Sequence, residues 1–298
     1  MPNFVYLQAV EPAADGGVNV FGANVVDNFG TYGAARVLSG GEFDPGFGDG
    51  GFGAVQAPDL IIKTFAVRPD GRLVVAGIDA GDFLGRAGFY QLDAEGRPDL
   101  AFGEGGYAAA AVPGVHVIVE GVAVDGERLV GVGAGIMGDG SSGALALRVD
   151  PSGALDTSFH APDGYHLYFA PGFYPLSQIT NKVYVRADGS FYSCGDGWRV
   201  DGPLVEQDLD VLLARYTPAG EHDAAFGEGG LARLDVQTKV GAFELRSDSC
   251  RAVDEAGDGK IVVASVSSHV DFSDLSNIVV ARFLPDGTPD PTFGEGGV

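Results

Sequence analysis

Aromatic and acidic side chains that could bind a ligand are concentrated in three stretches of the sequence, residues 165–181, 195–210 and 267–277. Aromatic rings with carboxylates nearby suit stacking on a sugar ring or holding a cationic ligand. The predicted ligand-binding residues are Tyr168, Phe173, Tyr174, Trp198, Asp208 and Asp271. The alternative interpretation is structural: the same side chains cap the ends of the fold or pack a longer repeat.

The carboxylates are also compatible with glycosidic hydrolysis, which uses a protonated acid and an ionised partner on either side of the bond. Aspartates stand in corresponding loops at Asp82, Asp139, Asp201 and Asp271. Aspartate in a glycine-rich loop is more often a turn former. The sequence contains no nucleophile elbow, HExxH motif or phosphate loop. Enzyme activity is therefore left open, and the missing motifs weigh against it.

Two sets of residues could ligate a metal ion. His160, Asp163 and His166 are close in sequence, but no third histidine follows at a matching spacing. The second set consists of acidic residues that follow Phe-Gly in four repeats, which would suit Ca2+: Asp49, Glu104, Glu228 and Glu295. We expect no cofactor, and a metal ion at either set of residues is the alternative.

These candidate residues are embedded in five copies of a repeat. The phrase Asp-x-x-Phe begins at Asp44, Asp99, Asp156, Asp223 and Asp290. An arginine stands eight residues before the aspartate in four copies, and Gln91 replaces it in the second. An Asp-Gly pair precedes each phrase, at Asp15, Asp70, Asp125, Asp188 and Asp258. Asp-Gly between apolar runs predicts a β-hairpin with a type I′ turn in each copy.

Each copy supplies about four short runs of strand character, such as GFGAVQ, IIKTFAV, RLVVAG and AGFYQLD in the second. Four strands per repeat are typical of a propeller blade. We predict a single all-β domain over residues 1–298, a five-bladed β-propeller. Its approximate repeats are 1–51, 52–106, 107–164, 165–230 and 231–298. An open β-solenoid of the same repeats is the alternative.

The combined pattern, DG-r-l-v-v-a-G followed by a-R-x-x-x-x-G-x-x-D-x-x-F-G-x-G-G, resembles the delta-60 repeat family over essentially the whole chain. The resemblance implies a bacterial tandem repeat with a β-propeller-like fold, often found in secreted or cell-surface chains. It implies no particular activity. The third copy departs from the pattern, since it reads SFHAPDGYH where the others have FGEGG or FGDGG.

Alternation of the strands places both repeated phrases at one end of each blade and the variable loops at the other. We expect the aspartates to accept backbone hydrogen bonds and to pair with the arginines, and the phenylalanines to fill the space between blades. Function is then expected where copies differ, on the long loops of the fourth and fifth repeats. The prediction is a ligand-binding or scaffold propeller, with a glycoside hydrolase or a purely structural surface repeat as alternatives.

Charge limits the partners of the protein. The 18 basic and 41 acidic residues give a formal charge of -23, so a phosphate backbone would be repelled and nucleic acid is not expected. A carbohydrate, a small molecule or another protein chain is compatible with this charge.

Other features bear on localisation and assembly. No stretch is apolar enough for a membrane span, and the first residues do not have the pattern of a signal peptide. Cys194 and Cys250 are either free thiols or one disulfide. One strand of the repeat pattern is missing at the chain ends, so we expect that the chain is a segment of a longer repeat array, that the first blade has three strands, or that another chain supplies the fourth by strand addition.

Overall fold

In the computed structural model of the protein, the described residues are 4–13, 16–26, 29–57, 59–81, 85–170, 179–198, 209–236, 238–240, 243–245, 247–268 and 276–298. Regular structure in these residues consists of β-strands alone. The chain comprises two compact units: unit 1 contains residues 1–111 and 150–154, and unit 2 contains residues 112–149 and 155–298. The all-β prediction is confirmed.

Unit 1 contains two four-stranded antiparallel sheets with strands in sequence order. The first sheet consists of β1 (Phe4–Pro12), β2 (Val18–Val26), β3 (Phe29–Val37) and β4 (Gly53–Ala54). The second consists of β5 (Leu60–Val67), β6 (Leu73–Asp79), β7 (Arg86–Leu92) and β8 (Tyr107–Ala110). Phe21 stacks on Phe65 with ring centroids 5.2 Å apart, so apolar side chains of the two sheets share one core.

Unit 2 begins with a third four-stranded sheet, β9 (Val115–Asp125), β10 (Arg128–Met137), β11 (Ser142–Val149) and β12 (Tyr165–Tyr168). The fourth repeat supplies β13 (Ile179–Val185), β14 (Phe191–Trp198), β15 (Leu209–Tyr216) and β16 (Leu231–Leu234). A hairpin of β17 (Thr238–Val240) and β18 (Phe243–Leu245) follows. The fifth repeat supplies β19 (Ser247–Glu255), β20 (Ile261–Ser268) and β21 (Ser276–Phe283). A parallel bridge between Leu209 and Ser247 connects the last two groups into a seven-stranded sheet.

The strands divide among the sheets differently from the sequence prediction. GFGAVQ was expected to begin the second repeat, but Gly53–Ala54 pairs with β3 of the first sheet. The first sheet therefore has four strands, whereas the described part of the fifth repeat has three. Strand patterns identify the runs but do not say which neighbour each run pairs with, because pairing depends on the connecting turn.

The predicted hairpins form at the described Asp-Gly sites, but their turns are not of type I′. That turn needs positive φ at both central residues, and His160 is the one non-glycine residue with positive φ among those described. In the second repeat, Gly71 N–H donates to Arg68 O at 2.9 Å and Arg68 N–H donates to Arg72 O at 2.8 Å. With φ of 88° at Gly71 alone, this is a three-residue loop with glycine in the left-handed position.

The repeated phenylalanines fill space between repeats, as predicted. Four of them are at most 1% exposed: Phe47, Phe102, Phe159 and Phe226. Each ring lies against a turn glycine of the next repeat, and a Cβ added to Gly220 would be 2.7 Å from the Phe159 ring. The backbone N–H that follows each phenylalanine donates to the same turn, as in the 2.6 Å bond from His160 to Ala219 O. We call this combination of ring, glycine and backbone bond the clasp.

The repeated charged residues complete the clasp. Arg148 Nε donates to Asp156 Oδ2 at 2.8 Å, and its Nη1 donates to Pro218 O in the next repeat at 2.8 Å. The guanidinium lies 5.0 Å from the centroid of the Phe159 ring. Asp156 Oδ1 also accepts the Ser158 N–H at 3.0 Å. The predicted turn bonding and Arg-Asp pairing are therefore confirmed in the third repeat, and Arg282 pairs with Asp290 in the same way at 2.7 Å.

The cysteine pair, which the sequence left open, is a disulfide. Cys194 in β14 and Cys250 in β19 are bonded, with Cα atoms 6.0 Å apart. Both residues are fully buried. The bond ties the fourth repeat to the fifth across a sequence separation of 56 residues.

Candidate functional site

The predicted ligand-binding residues are only partly within the described residues. Phe173, Tyr174, Asp208 and Asp271 lie outside them, as do Asp82 and Asp201 among the proposed hydrolytic carboxylates. Trp198 is the last residue of β14 and is half-buried. Tyr168 ends β12 and contacts the ring of His222, with centroids 4.3 Å apart.

Three carboxylates come together at one end of the seven-stranded sheet. Asp210 is the second residue of β15, Asp248 is the second residue of β19, and Asp235 follows β16. One ligand oxygen from each lies within 4.8 Å of the others. Trp198 pairs with Leu209 at the same strand ends. We call this part of unit 2, which contains Asp210, Asp235, Asp248 and Trp198, the loop end.

Strand pairing explains why these carboxylates meet. The parallel bridge between Leu209 and Ser247 sets Asp210 beside Asp248. The antiparallel pairing of Val211 with Leu234 brings the end of β16 to the same place. The three aspartates are far apart in sequence, so no local motif predicts their proximity.

Arg233 neutralises part of the negative charge in this group. Its Nε pairs with Asp210 Oδ2, and its Nη2 lies 3.0 Å from Asp235 Oδ2. Val236 N–H donates to Asp248 Oδ2 at 2.7 Å. Charge-assisted bonds of this kind are shorter and stronger than bonds between neutral groups.

Burial limits the chemistry that the carboxylates of the loop end can perform. Three oxygen donors of this type could hold a divalent cation such as Ca2+, but Arg233 already supplies a positive charge there. Asp210 and Asp248 are 0% and 1% exposed, so a sugar cannot reach them for hydrolysis. Asp235 is the accessible carboxylate, with 26% of its side chain exposed.

The acidic residues predicted as alternative Ca2+ ligands lie in the turns that end the repeated phrase. All four are exposed: Asp49, Glu104, Glu228 and Glu295. Their backbones close the turn, as in the 2.7 Å bond from Glu104 N–H to Tyr107 O. Within the described ranges, the carboxylates that the fold gathers are those of the loop end, and the Ca2+ expectation stays a prediction.

A cluster of three histidines lies between the third and fourth repeats of unit 2. The rings of His160 and His166 stack with centroids 4.2 Å apart, and His222 lies 4.9 Å from His166. The rings of Tyr168 and Tyr216 contact the His222 ring, with centroids 4.3 and 4.6 Å from its centroid. The ring nitrogen Nδ1 of His166 is 3.0 Å from Gly220 O, which orients that imidazole.

Burial disfavours the charged form of two of these histidines. Desolvation, followed by repulsion from His166 and His160, lowers the pKa of His222 to about 4. Desolvation and the neighbouring His160 also lower the pKa of His166. His166 and His222 therefore resist protonation near neutral pH.

The third histidine was missed because it belongs to the next repeat. His222 precedes Asp223 at a position where other copies have Phe43, Pro98, Leu155 and Pro289. His160 occupies a glycine position of the phrase and keeps the left-handed backbone there, with φ of 42°. Alignment of the copies, rather than spacing within one copy, was the signal that could have found the cluster.

One family model matches the chain, under the description "Domain of unknown function (DUF5122) beta-propeller", over residues 256–293. The matched segment contains the Asp258-Gly turn and the last Asp-x-x-Phe phrase. The match supports a β-propeller repeat. No curated protein sequence matches the chain.

Several solved structures resemble the chain. The α-L-arabinofuranosidase of Lactobacillus brevis shares 13% identity, with 99% of this chain and 96% of that chain covered and a TM-score of 0.49. Drosophila Semaphorin 1b, extracellular domains 1-2, shares 11% identity, with 93% of this chain and 51% of that chain covered and a TM-score of 0.48. The chain thus spans about half the length of the Semaphorin chain.

Proposed function

We propose that the chain is a non-catalytic binding module, a five-bladed propeller of delta-60-type repeats that takes its ligand at the loop end of the fourth and fifth repeats. The observation that carries this proposal is the clasp. The side chains that recur, such as Arg148, Asp156 and Phe159, are engaged in joining one repeat to the next. Positions that do not recur are then the ones that select a ligand.

A polyhydroxylated ring is the ligand class that suits the loop end. The half-buried Trp198 offers an aromatic face for the apolar side of a sugar. Asp235 and Arg233, which are 26% and 38% exposed in their side chains, can bond hydroxyl groups. Phe173, Tyr174, Asp208 and Asp271 belong to the sequence segments that adjoin this end, and their part in binding is also a proposal.

Within the part of the chain that the structure describes, hydrolysis is less well supported than binding. A glycosidase needs two carboxyl groups about 5 to 10 Å apart that face the substrate. Asp210 and Asp248 are buried, and Arg233 is paired with Asp210. Inaccessible carboxylates favour a structural or binding role at this end of the sheet.

A melting-temperature screen with soluble glycans, combined with analysis of the glycans for cleavage, tests the proposal. A ligand bound only by the folded state raises the melting temperature. Trp198→Ala is expected to remove the shift, and Leu100→Ala is the matched control because Leu100 is 78% exposed in unit 1. Shortened glycan chains would identify a hydrolase instead, and no shift with any glycan would leave the purely structural alternative.

A further inference from the structure

One phenylalanine and one glycine turn of the repeats are left without a clasp. Four of the repeated rings pack on the turn glycine of the next repeat. The pairs are Phe47 with Gly96, Phe102 with Gly153, Phe159 with Gly220 and Phe226 with Gly287. Among the described residues, Gly41 in the turn of the first repeat and Phe293 in the fifth repeat belong to no such pair.

The turn of the first repeat, residues 38–42, is formed but uncovered. Leu38 N–H donates to Glu42 O and Gly41 N–H donates to Leu38 O, both at 2.8 Å. Gly41 has φ of 91°, close to the 88° of Gly220. A Cβ added to Gly41 would have no described atom within 4 Å, and all five residues of the turn are exposed. We call residues 38–42 the uncovered turn.

The ring of the fifth repeat is held in place like its counterparts. The Arg282 guanidinium lies 4.6 Å from the centroid of Phe293, and its Nε donates to Asp290 Oδ2 at 2.7 Å. Phe293 is nevertheless only half-buried, whereas the other four rings are at most 1% exposed. Within the described part of the chain, the N–H of Gly294 donates to no turn of another repeat. The ring and the backbone donor are therefore in position without the contact that they make elsewhere.

The sheet face of the fifth repeat also exposes apolar side chains. Ile278 and Val280 of β21 are 85% and 41% exposed. They stand four and two residues before the repeated arginine, where the fourth repeat has Val211 and Leu213. Those two residues are fully buried in a core that the fourth repeat shares with the fifth. Exposed apolar side chains next to an unclasped ring indicate a surface for contact with another protein.

The clasps within the chain specify what this surface would bind. The partner must present a left-handed glycine to the ring. It must also present the carbonyl one residue earlier to the N–H after the ring, and the carbonyl two residues earlier to the arginine. In the third repeat these two hydrogen bonds are 2.6 and 2.8 Å long. The uncovered turn has the corresponding groups, which are Gly41, the carbonyl of Gly40 and the carbonyl of Ser39.

We propose that copies of this chain associate head to tail, with Phe293 of one copy packed on Gly41 of the next. Gly294 N–H then donates to the Gly40 carbonyl of that copy, and Arg282 donates to its Ser39 carbonyl. A second copy is favoured over an unrelated partner because this chain carries both complementary surfaces. The contact joins two different surfaces, so it produces a closed ring of copies or a filament. It involves neither the loop end nor a glycan, and it stands or falls separately from the proposed function.

Sedimentation velocity of the full chain over a range of concentrations tests the association. High salt is used because it screens the repulsion between copies with a formal charge of -23. The average mass of the wild type is expected to rise with concentration above that of one chain. Phe293→Ala removes the ring and Gly41→Ala puts a methyl group where the ring would pack, so each should weaken association at least tenfold.

Each variant has a matched control that should associate like the wild type. Gly50→Ala is the control for Gly41→Ala, because Gly50 lies in the same repeat, has φ of 61° and would have nothing within 4 Å of an added Cβ. Met137→Ala is the control for Phe293→Ala, because Met137 is a 39% exposed apolar residue of unit 2. Circular dichroism of every variant checks that it is folded before association is measured.

Mixing the two impaired variants gives the sharpest result. Phe293→Ala keeps the uncovered turn and Gly41→Ala keeps the ring, so the mixture should form one-to-one dimers and nothing larger. Failure of the mixture to recover dimers would overturn the inference, since a symmetric contact would stay impaired. Undiminished association of both variants would also overturn it. So would a wild type that is monomeric at every concentration, which is the result expected if the two surfaces meet within one chain.

Discussion

Gly220→Ala tests the clasp, since it adds one methyl group where the Phe159 ring packs. Gly220 has φ of 88°, and the new Cβ would lie 2.7 Å from one ring carbon and 2.8 Å from two others. A residue with a Cβ in the left-handed region costs about 1–2 kcal/mol. Overpacking a core contact adds about 1–3 kcal/mol. The free energy of unfolding should therefore fall by about 2–5 kcal/mol.

Gly229→Ala separates the two contributions. Gly229 belongs to the same repeat and has φ of 63°, but a Cβ there would have nothing within 4 Å. In this variant the free energy of unfolding should fall only by the backbone cost of about 1–2 kcal/mol. Urea denaturation measures both, and the m-value should be unchanged if only native stability is affected.

The comparison can refute the reasoning. If Gly220→Ala is no less stable than Gly229→Ala, the Phe159 ring does not pack tightly on the turn of the next repeat. A second check is the double variant Gly220→Ala with Phe159→Leu. Its destabilisation should be less than the sum of the two single losses, because the smaller side chain makes room for the methyl group.

Three further predictions follow from the same contacts. Replacing Cys194 and Cys250 by serine should lower the free energy of unfolding by about 4 kcal/mol, because the bond closes a loop of 56 residues; reducing agent should have no effect on the variant. Arg148→Lys should cost about 2 kcal/mol in urea denaturation, since its buried Nε and Nη1 bonds are lost, and the same change at Arg282, which is 26% exposed, should cost less. The pKa of His222 is about 4 in the folded protein against an ordinary 6.5. As the pH falls, the unfolded chain therefore takes up the proton first. The free energy of unfolding should fall by about 1–2 kcal/mol between pH 6.5 and 4, after allowance for the partial exposure of the ring. His222→Gln should flatten that part of the pH profile, and an unchanged profile would contradict it.

The architecture was predictable where the sequence carries local signals. Asp-Gly turns and Asp-x-x-Phe phrases indicate hairpins and buried rings because each depends on a few neighbouring residues. The burial of Phe102 and the pairing of Arg148 with Asp156 follow from such phrases. The turn type was wrong because, in the Asp-Gly turns that the structure describes, the aspartates keep negative φ and only the glycine enters the left-handed region.

The candidate sites were harder to predict because they depend on contacts between repeats. Asp210 meets Asp248 through one parallel bridge between the fourth and fifth repeats. His166 lies in β12 of the third sheet and meets His222, which follows β15 of the next sheet. Spacing within one repeat contains none of this information.

Calorimetric titration of a glycan panel into the wild type and Trp198→Ala tests the central claim most directly. The account predicts saturable binding by the wild type and at least tenfold weaker binding by the variant, which corresponds to about 1.4 kcal/mol. Undiminished affinity in Trp198→Ala would place the ligand away from the loop end. Release of shortened sugars during the titration would contradict the assignment of a non-catalytic binding module.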